Sequence, residues 1–199
     1  MLLYDSGNTN IKCYENGKVF YVDDFDSQKP FYYINVNPKI KDFKNGIDLA
    51  PYFQLKSKYK GMGIDRVAAC YAIDDGVVVD VGSAITVDVM KGGFHEGGFI
   101  MPGIGAYHDS LANISTALKF DIDREINLEK LPQNTHEALN FATFKSVFLM
   151  IKEVSQNMKI YFCGGDGKIL SHFFKDSVYK KDLVFEGMKK VIKEMEIKC

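Results

Sequence analysis

Residues 1–12 read MLLYDSGNTNIK, and the fold prediction starts from this stretch. A short apolar run ends at Asp5, a glycine turn follows at Gly7, and Lys12 comes five residues later. The pattern is typical of a strand that delivers a carboxylate into a tight turn, where glycine lets the backbone approach a ligand closely. Asp5 can hold Mg²⁺, while the hydroxyls, amides and lysine nearby can hold phosphate oxygens. The stretch therefore predicts a site for a metal-bound phosphate.

A second stretch, residues 76–86, repeats this arrangement as GVVVDVGSAIT. An apolar strand again ends in Asp-x-Gly, with Ser83 directly after the glycine and Thr86 close behind. One such turn alone is common after any strand and has no functional meaning by itself. The pair predicts a duplicated β-rich unit whose two facing turns hold a nucleotide phosphate chain between them.

Composition limits the class of protein. The chain has 199 residues, 46% of them hydrophobic, which is enough for one large or two small domains with real cores. The net charge of −1 argues against a dedicated nucleic-acid binder. The N-terminus does not resemble a signal peptide, and no apolar run is long enough to span a bilayer, so a cytoplasmic protein without membrane contact is expected. Neither the four cysteines nor the four histidines have metal-ligand spacing.

The strand pattern also appears twice. Residues 1–23 predict a three-stranded meander with an Asn16-Gly17 hairpin turn, and residues 77–100 predict another with its turn at Gly92-Gly93. A weak strand is predicted at 52–55. The polar Asp74-Asp75-Gly76 stretch between the meanders predicts a boundary, which gives an N-terminal domain at 1–75 and a C-terminal domain at 76–199.

Helices are predicted after glycine or polar starts, including one that follows the glycine turn at 164–167 and ends near Phe174. Gly63-Ile64-Asp65-Arg66 opens one, and an arginine in a first turn suggests that Arg66 has a partner. Others are expected near 106–118 and at 135–156, and the wide apolar surface of the latter fits either a subunit interface or a central core helix. The last, from 186 to 198, is amphipathic, and the run at 183–187 is either a short strand or the start of that helix.

Three motifs in this order resemble the type III pantothenate kinase family. They are Asp-x-Gly-Asn-Thr-x-x-Lys at 5–12, Gly-x-Asp-Arg at 63–66 and Asp-x-Gly-Ser at 80–83. The resemblance continues through 97–103, 134–138 and 163–166, so it covers nearly the whole chain. It implies a mixed α/β fold of the actin, sugar-kinase and heat-shock-ATPase superfamily, with two ribonuclease-H-like domains and an ATP cleft between them.

The resemblance also implies the roles of individual residues. Asp65 is the expected base for the pantothenate hydroxyl, and Arg66 is expected to hold the pantothenate carboxylate. Asp80 is expected to bind the monovalent cation, K⁺ or NH₄⁺, and Asp5 to bind Mg²⁺. The expected ATP contacts are Asp5, Ser6, Gly7, Asn8, Thr9, Asn10, Ile11, Lys12 and Ser83. The remaining substrate contacts are Tyr59, Gly63, Ile64 and, across the interface of a homodimer, Thr135.

Three departures from the family pattern stand out. The chain is shorter than usual, chiefly in its first half, the loop between Tyr59 and Gly63 is shortened, and Ile85 replaces a hydroxyl residue. Two alternatives stay open at this point. One is another phosphotransferase or phosphohydrolase of the same superfamily, which Gly63-Ile64-Asp65-Arg66 disfavours. The other is a non-catalytic transcriptional accessory factor of the same fold, which the intact set of aspartates disfavours.

Overall fold

The computed structural model describes residues 1–25, 28–41 and 43–197. The strands in these residues are β1 (Leu2–Ser6), β2 (Ile11–Glu15), β3 (Lys18–Val22), β4 (Phe31–Asn35), β5 (Gly46–Asp48), β6 (Lys56–Ser57), β7 (Gly76–Val81), β8 (Ala84–Lys91), β9 (Phe94–Pro102), β10 (Ile160–Cys163) and β11 (Ser177–Tyr179). The α-helices are α1 (Ile64–Tyr71), α2 (Ile104–Ile114), α3 (Thr135–Ser155), α4 (Gly167–Ser171) and α5 (Leu183–Glu194).

The chain divides into two compact units. Unit 1 comprises Met1–Asp75, Met90–Gly97 and Lys180–Cys199, and unit 2 comprises Gly76–Val89 and Gly98–Tyr179. The sequence predicted a boundary after residue 75, and the chain does pass from unit 1 to unit 2 there. The sequence also assigned 180–199 to the second domain, whereas these residues belong to unit 1.

Helix α5 belongs to unit 1 because it packs tightly on α1. Gly187 lies against the Ala68 backbone so closely that a Cβ at residue 187 would overlap the Ala68 carbonyl oxygen. Met188 and Val191, on the apolar face of α5, are fully buried. The helix begins at Leu183, which settles the ambiguous run at 183–187 as helix, and the predicted end at Lys198 lies outside the described residues.

Unit 1 is built on a five-stranded sheet in the order β3-β2-β1-β4-β5. The first three strands form the predicted antiparallel meander, while β4 and β5 are added in parallel. The turn between β2 and β3 has positive φ at both Asn16 (50°) and Gly17 (81°), as the Asn-Gly sequence predicts for a tight hairpin. The meander prediction is therefore confirmed.

Unit 2 arranges its strands in the order β11-β10-β7-β8-β9. Numbered within each unit, both sheets have the same strand order: third, second, first, fourth and fifth. Unit 2 contains its own meander, β7-β8-β9, as the sequence predicted. β7 pairs in parallel with β10, and alternate valines of β7 are buried against Phe144 and Phe162. Residues 90–97, at the hairpin end of β8 and β9, belong to unit 1, where β6 pairs in parallel with the beginning of β9. The predicted mixed α/β class is confirmed.

One predicted strand is wrong and one predicted helix start is confirmed. Residues 52–55 form no strand: Ala50–Tyr52 make a 3-10 turn with Pro51 in its first positions, and the strand begins later, at Lys56. Helix α3 begins as predicted, with the Asn134 side chain accepting a hydrogen bond from the Glu137 amide at 2.9 Å.

Among the described residues, no helix combines the length and the apolarity that crossing a membrane requires.

Candidate active site

The β1–β2 hairpin brings a carboxylate and an ammonium group together. Asp5 and Lys12 are direct partners in the antiparallel register, so their side chains share one face of the sheet. Lys12 Nζ lies 3.4 Å from Asp5 Oδ2, and Asp5 is only 3% exposed. The predicted pairing of a metal-binding acid with a phosphate-binding lysine is therefore compatible with the local geometry.

The turn of this hairpin contains an unusual buried hydroxyl. Ser6 is fully buried, and its Oγ is the buried side-chain atom without a hydrogen-bond partner among the described residues. Such an orphan polar atom costs stability unless a ligand or water satisfies it. Gly7 follows, with its amide donating to the Asn10 carbonyl at 3.1 Å, and a Cβ there would lie 3.2 Å from the same oxygen. The unsatisfied hydroxyl suits a loop that receives phosphate oxygens, whereas the Gly7 contact closes the turn itself.

The remaining turn residues divide by exposure. Asn8, Thr9 and Asn10 are exposed at the hairpin tip, where their side chains can reach a ligand. Ile11 is instead 8% exposed and packs in the core with Leu2. Only the backbone of Ile11 can therefore contribute to the predicted phosphate site.

The N-terminus of α1 carries the predicted base. Asp65 lies in the first turn and is half-buried, and its Oδ1 accepts a hydrogen bond from the Arg66 amide at 2.8 Å. A Cβ at Gly63 would lie 2.6 Å from that same Oδ1. The missing side chain at Gly63 therefore leaves the space that the Asp65 carboxylate occupies, while Ile64 begins the helix between them.

Arg66 has the partner that its sequence position suggested. Its guanidinium carbon lies 5.0 Å from the centre of the Tyr59 ring, and Nη1 donates to the Tyr59 hydroxyl at 3.4 Å. Arg66 is 6% exposed, whereas Tyr59 is 39% exposed. The aromatic face of Tyr59 stabilises the cation. The structure thus brings Tyr59, Asp65 and Arg66 together within unit 1.

Asp80 and Ser83 lie at the end of β7 in unit 2. Asp80 is half-buried, beside the left-handed Gly164 (φ 81°), where a Cβ would overlap both Asp80 Oδ1 and the Val81 carbonyl oxygen. Ser83 is exposed, and its carbonyl accepts the Gly103 amide at 3.1 Å. Ile85 is fully buried in the core, so this position cannot present a hydroxyl to a ligand.

Thr135 is the first residue of α3 and is exposed. The Asn134 cap fixes the backbone of this helix start, so the threonine hydroxyl is held at a defined helix terminus. Thr135 belongs to unit 2, whereas Tyr59, Gly63, Asp65 and Arg66 all belong to unit 1.

The three cysteines in the part of the chain that the structure describes are buried. Burial raises the pKa of the Cys13 thiol, against a smaller opposing effect of a hydrogen bond with Tyr4. A thiol with a raised pKa stays protonated near neutral pH and is a poor nucleophile. Cys70 and Cys163 are likewise buried as free thiols.

Sequence reasoning missed two residues that support the Tyr59 segment. Ser57 Oγ lies 2.7 Å from Nδ1 of His95, which is completely buried. Nothing in the local sequence of either residue indicates this contact, because it depends on the pairing of β6 with β9, 38 residues apart. The histidine spacing predicted no metal site, whereas the structure places ligand atoms of His95 and the buried Cys70 and Asp88 within 4.8 Å of one another, a group that could hold a metal ion.

The arrangement defines a class of protein. A hairpin with an acid–lysine pair lies on a mixed α/β fold of two units, together with a carboxylate next to a guanidinium that has an aromatic neighbour. These are groups that a phosphotransferase acting on a small anionic acceptor can use. A family model of type III pantothenate kinase matches residues 40–157.

Full-length relatives agree with this match. A Campylobacter jejuni protein named type III pantothenate kinase is 45% identical over 203 residues, covering 98% of this chain and 97% of its own length. A Helicobacter hepaticus protein of the same name is 43% identical over 204 residues, covering 98% and 99%. The chain belongs to the type III pantothenate kinase family.

A solved structure shows the same fold. A conserved Campylobacter jejuni protein, described as a candidate Baf family transcriptional activator, superposes with a TM-score of 0.90 at 42% identity. The match covers 98% of this chain and 99% of that one. The two chains therefore share one fold over essentially their full length.

Proposed function

We propose that this protein phosphorylates pantothenate with ATP to give 4′-phosphopantothenate, the first step of coenzyme A biosynthesis. Family membership over nearly the full chain supports the reaction. The structural observation that carries the proposal is the cluster of Tyr59, Asp65 and Arg66 at the start of α1, since it combines a base with a carboxylate receptor.

Pantothenate is the proposed acceptor of this cluster. Asp65 orients the primary hydroxyl and accepts its proton, and a positioned base of this kind contributes about 10²–10⁴-fold. The Arg66 guanidinium holds the substrate carboxylate through paired N–H donors. Gly63, Ile64 and Tyr59 line the place of binding. Thr135 adds a hydroxyl contact, which in the proposed homodimer comes from the other subunit.

ATP and Mg²⁺ are assigned to the β1–β2 hairpin. The orphan Ser6 hydroxyl fits a phosphate group, and Asp5 offers the oxygen ligand that Mg²⁺ prefers. Lys12 and the exposed side chains of Asn8 and Thr9 add donors, and Asn10 and the Ile11 backbone complete the loop. Mg²⁺ supplies charge neutralisation of the phosphate oxygens when bound. Ser83 of unit 2 is the further proposed ATP contact.

A monovalent cation, K⁺ or NH₄⁺, is assigned to Asp80. Oxygen ligands suit such an ion, and Asp80 Oδ1 and the Val81 carbonyl oxygen both lie beside Gly164. The chemistry of the donors therefore fits, and the cation would offset part of the negative charge of the nucleotide.

The protein is proposed to act as a cytoplasmic homodimer that binds neither nucleic acid nor membrane. The net charge of −1 supports the absence of nucleic-acid binding. Helix α3 supports the dimer, because one face is buried in unit 2 through Phe144, Val147 and Ile151 while Leu149 and Met150 are about half exposed, at 50% and 48%. The two sequence interpretations of this helix, core element and interface, are thus compatible with each other.

A product assay tests the proposal. Purified protein is incubated with pantothenate, ATP and Mg²⁺ in K⁺, in NH₄⁺ or in Na⁺ alone, and the product is identified by mass. We expect 4′-phosphopantothenate with K⁺ or NH₄⁺ and much less with Na⁺. Equal product in all three salts keeps the kinase and removes the cation assignment. The absence of product from a folded protein contradicts the proposed activity.

A second candidate function follows from the description of the Campylobacter jejuni structural relative as a candidate Baf family transcriptional activator. A regulatory role of this kind needs no base at Asp65. The assay separates the two candidates, since a purely regulatory protein forms no product under any of the three salt conditions.

A further inference from the structure

Ser57 and His95 form a buried pair beneath the proposed acceptor site. They are direct Cα partners where β6 runs parallel to the beginning of β9. Ser57 Oγ lies 2.7 Å from His95 Nδ1, and His95 is 0% exposed, whereas Ser57 is half-buried. A hydrogen bond to a completely buried ring fixes the rotamer of the serine, because the ring itself cannot move into solvent.

The pair is connected to Arg66 through Tyr59. The Tyr59 amide donates to Ser57 Oγ at 2.9 Å, which fixes the backbone two residues after the strand. The Tyr59 ring then contacts the His95 ring edge-to-face, with centres 5.8 Å apart, and it also lies beside the Arg66 guanidinium at 5.0 Å. Each step of this chain is a contact within unit 1.

A serine close to a histidine can also be a nucleophile and its base, but this pair does not fit that role. His95 is completely buried, and the Ser57 hydroxyl already accepts the Tyr59 amide, so it is held as part of the backbone support. These contacts argue against a nucleophilic role for Ser57 and favour a structural role in positioning the neighbouring residues.

We propose that Ser57 and His95 are positioning residues that hold Tyr59 over Arg66 and thereby set the guanidinium for the carboxylate of the substrate. The inference rests on the proposed function, in which Arg66 binds that carboxylate. Fixing the guanidinium in advance removes part of the ordering cost of binding, so it lowers KM for pantothenate. It leaves the base, Asp65, and the nucleotide hairpin untouched.

Kinetics of Ser57→Ala give the first test. Loss of one such hydrogen bond predicts a roughly three- to tenfold rise in KM for pantothenate, with kcat and KM for ATP within about twofold of wild type. Ser57→Thr keeps the oxygen and is expected to restore KM. The matched control is Ser155→Ala, which removes a buried hydroxyl that donates to the Lys152 carbonyl, and it is expected to leave KM unchanged. A general loss of folding would lower activity without this split between KM and kcat.

The second test measures the mobility of the Arg66 side chain by NMR and does not require enzymatic activity. The chain contains two arginines, Arg66 and Arg124, so ¹⁵N-arginine labelling of the full-length protein gives two side-chain Nε–Hε signals. Arg66 is buried, whereas the Arg124 side chain is 63% exposed and serves as the solvent-exposed internal reference. We expect a rigid Arg66 signal in wild type and Ser57→Thr, and a signal averaged towards that of Arg124 in Ser57→Ala.

The two readouts separate the outcomes. A mobile Arg66 with a raised KM in Ser57→Ala supports the proposal. A rigid Arg66 in Ser57→Ala overturns it, whatever the kinetics. A mobile Arg66 with unchanged KM overturns its link to substrate binding. If the wild type has no kinase activity, the proposed function fails and the assignment to pantothenate fails with it, while the arginine signals still decide whether Ser57 and His95 hold Arg66.

Discussion

Unit 1 and unit 2 are each built around a meander, and each places an aspartate near the end of its first strand, but the two carboxylates have different neighbours. Asp5 is opposite Lys12 in the hairpin and forms an ion pair with it at 3.4 Å. Asp80 lies beside backbone oxygen of the following residue and the close approach of Gly164. The same strand pattern therefore places an aspartate at an equivalent position in each unit, and the neighbouring groups determine which ligand each aspartate can bind.

The units also differ in the helices that come after the meander. In unit 1 the short helix α1 presents Asp65 and Arg66 at its first turn, and α5 holds it through the close contact at Gly187. In unit 2 the long helix α3 is used for the core and leaves apolar residues exposed. Under the proposed function, the base and the carboxylate receptor belong to unit 1 and the monovalent cation site belongs to unit 2. Substitutions in each unit can test this division.

The largest effect is expected at Asp65. Asp65→Asn keeps an oxygen that can accept the Arg66 amide but removes the base, so kcat should fall by about 10²–10⁴-fold while thermal unfolding is unchanged. The matched control is Asp48→Asn, since Asp48 also accepts a backbone amide, that of Ala50, at 2.9 Å. Full activity in Asp65→Asn would show that Asp65 is not the base.

A smaller loss is expected at Gly63. The Cβ of Gly63→Ala would lie 2.6 Å from Asp65 Oδ1 and push the carboxylate from its place. A displacement of this kind lowers kcat by up to about 10²-fold. Steady-state kinetics measure the effect, with Gly105→Ala as control, because a Cβ there meets no atom within 4 Å. Equal activity of the two variants would contradict the tight placement of Asp65.

Arg66→Lys should act on substrate binding. A point charge replaces a fork that can hold a carboxylate through two donors, so KM for pantothenate should rise about tenfold with kcat nearly unchanged. Arg124→Lys is the natural control, since Arg124 makes an exposed ion pair with Asp166 at 3.4 Å in unit 2. An unchanged KM in Arg66→Lys would take Arg66 out of the substrate site.

The smallest effect concerns the α1–α5 contact of unit 1. The Tyr71 hydroxyl donates to Glu194 Oε2 at 2.5 Å, and burial, followed by this bond, raises the pKa of Tyr71 to about 12. Tyr71→Phe should lower the free energy of unfolding by at most about 1 kcal/mol.

The same residue gives a pH dependence with a definite sign. Because the pKa of Tyr71 is higher in the folded than in the unfolded state, its contribution is complete below about pH 10 and is lost as pH rises towards 12. Urea unfolding of wild type and Tyr71→Phe should therefore differ at pH 8 and converge above pH 10. Tyr52→Phe, at an exposed ring, is the control. An equal difference in unfolding free energy between wild type and Tyr71→Phe at pH 8 and above pH 10 would contradict the stabilising role assigned to the Tyr71–Glu194 hydrogen bond.

The parts of the fold that were predictable from sequence are those set by local chemistry. Asn16-Gly17 requires positive φ at two adjacent residues and defines the hairpin, and Asn134 caps α3 through its own side chain. The candidate site followed from short motifs for the same reason, because Asp5 with Lys12 and Asp65 with Arg66 lie close in the chain. Which ligand each of them binds remains a prediction.

The parts that were not predictable depend on distant pairing. Ser57 and His95 meet only because β6 joins β9, and the strand was expected a few residues too early, at 52–55, where Pro51 instead starts a 3-10 turn. The position of α5 was missed as well, although Gly187 in the middle of an amphipathic helix was a signal of close helix packing.

The cation response of two matched variants, Asp5→Asn and Asp80→Asn, most directly tests the division between the units. Rates of 4′-phosphopantothenate formation are measured for both and for wild type in K⁺ and in Na⁺ at fixed Mg²⁺. We predict that wild type is activated by K⁺, that Asp80→Asn loses this activation, and that Asp5→Asn has low activity in either salt because its Mg²⁺ ligand is gone. An Asp80→Asn variant that K⁺ still activates as strongly as wild type would contradict the account.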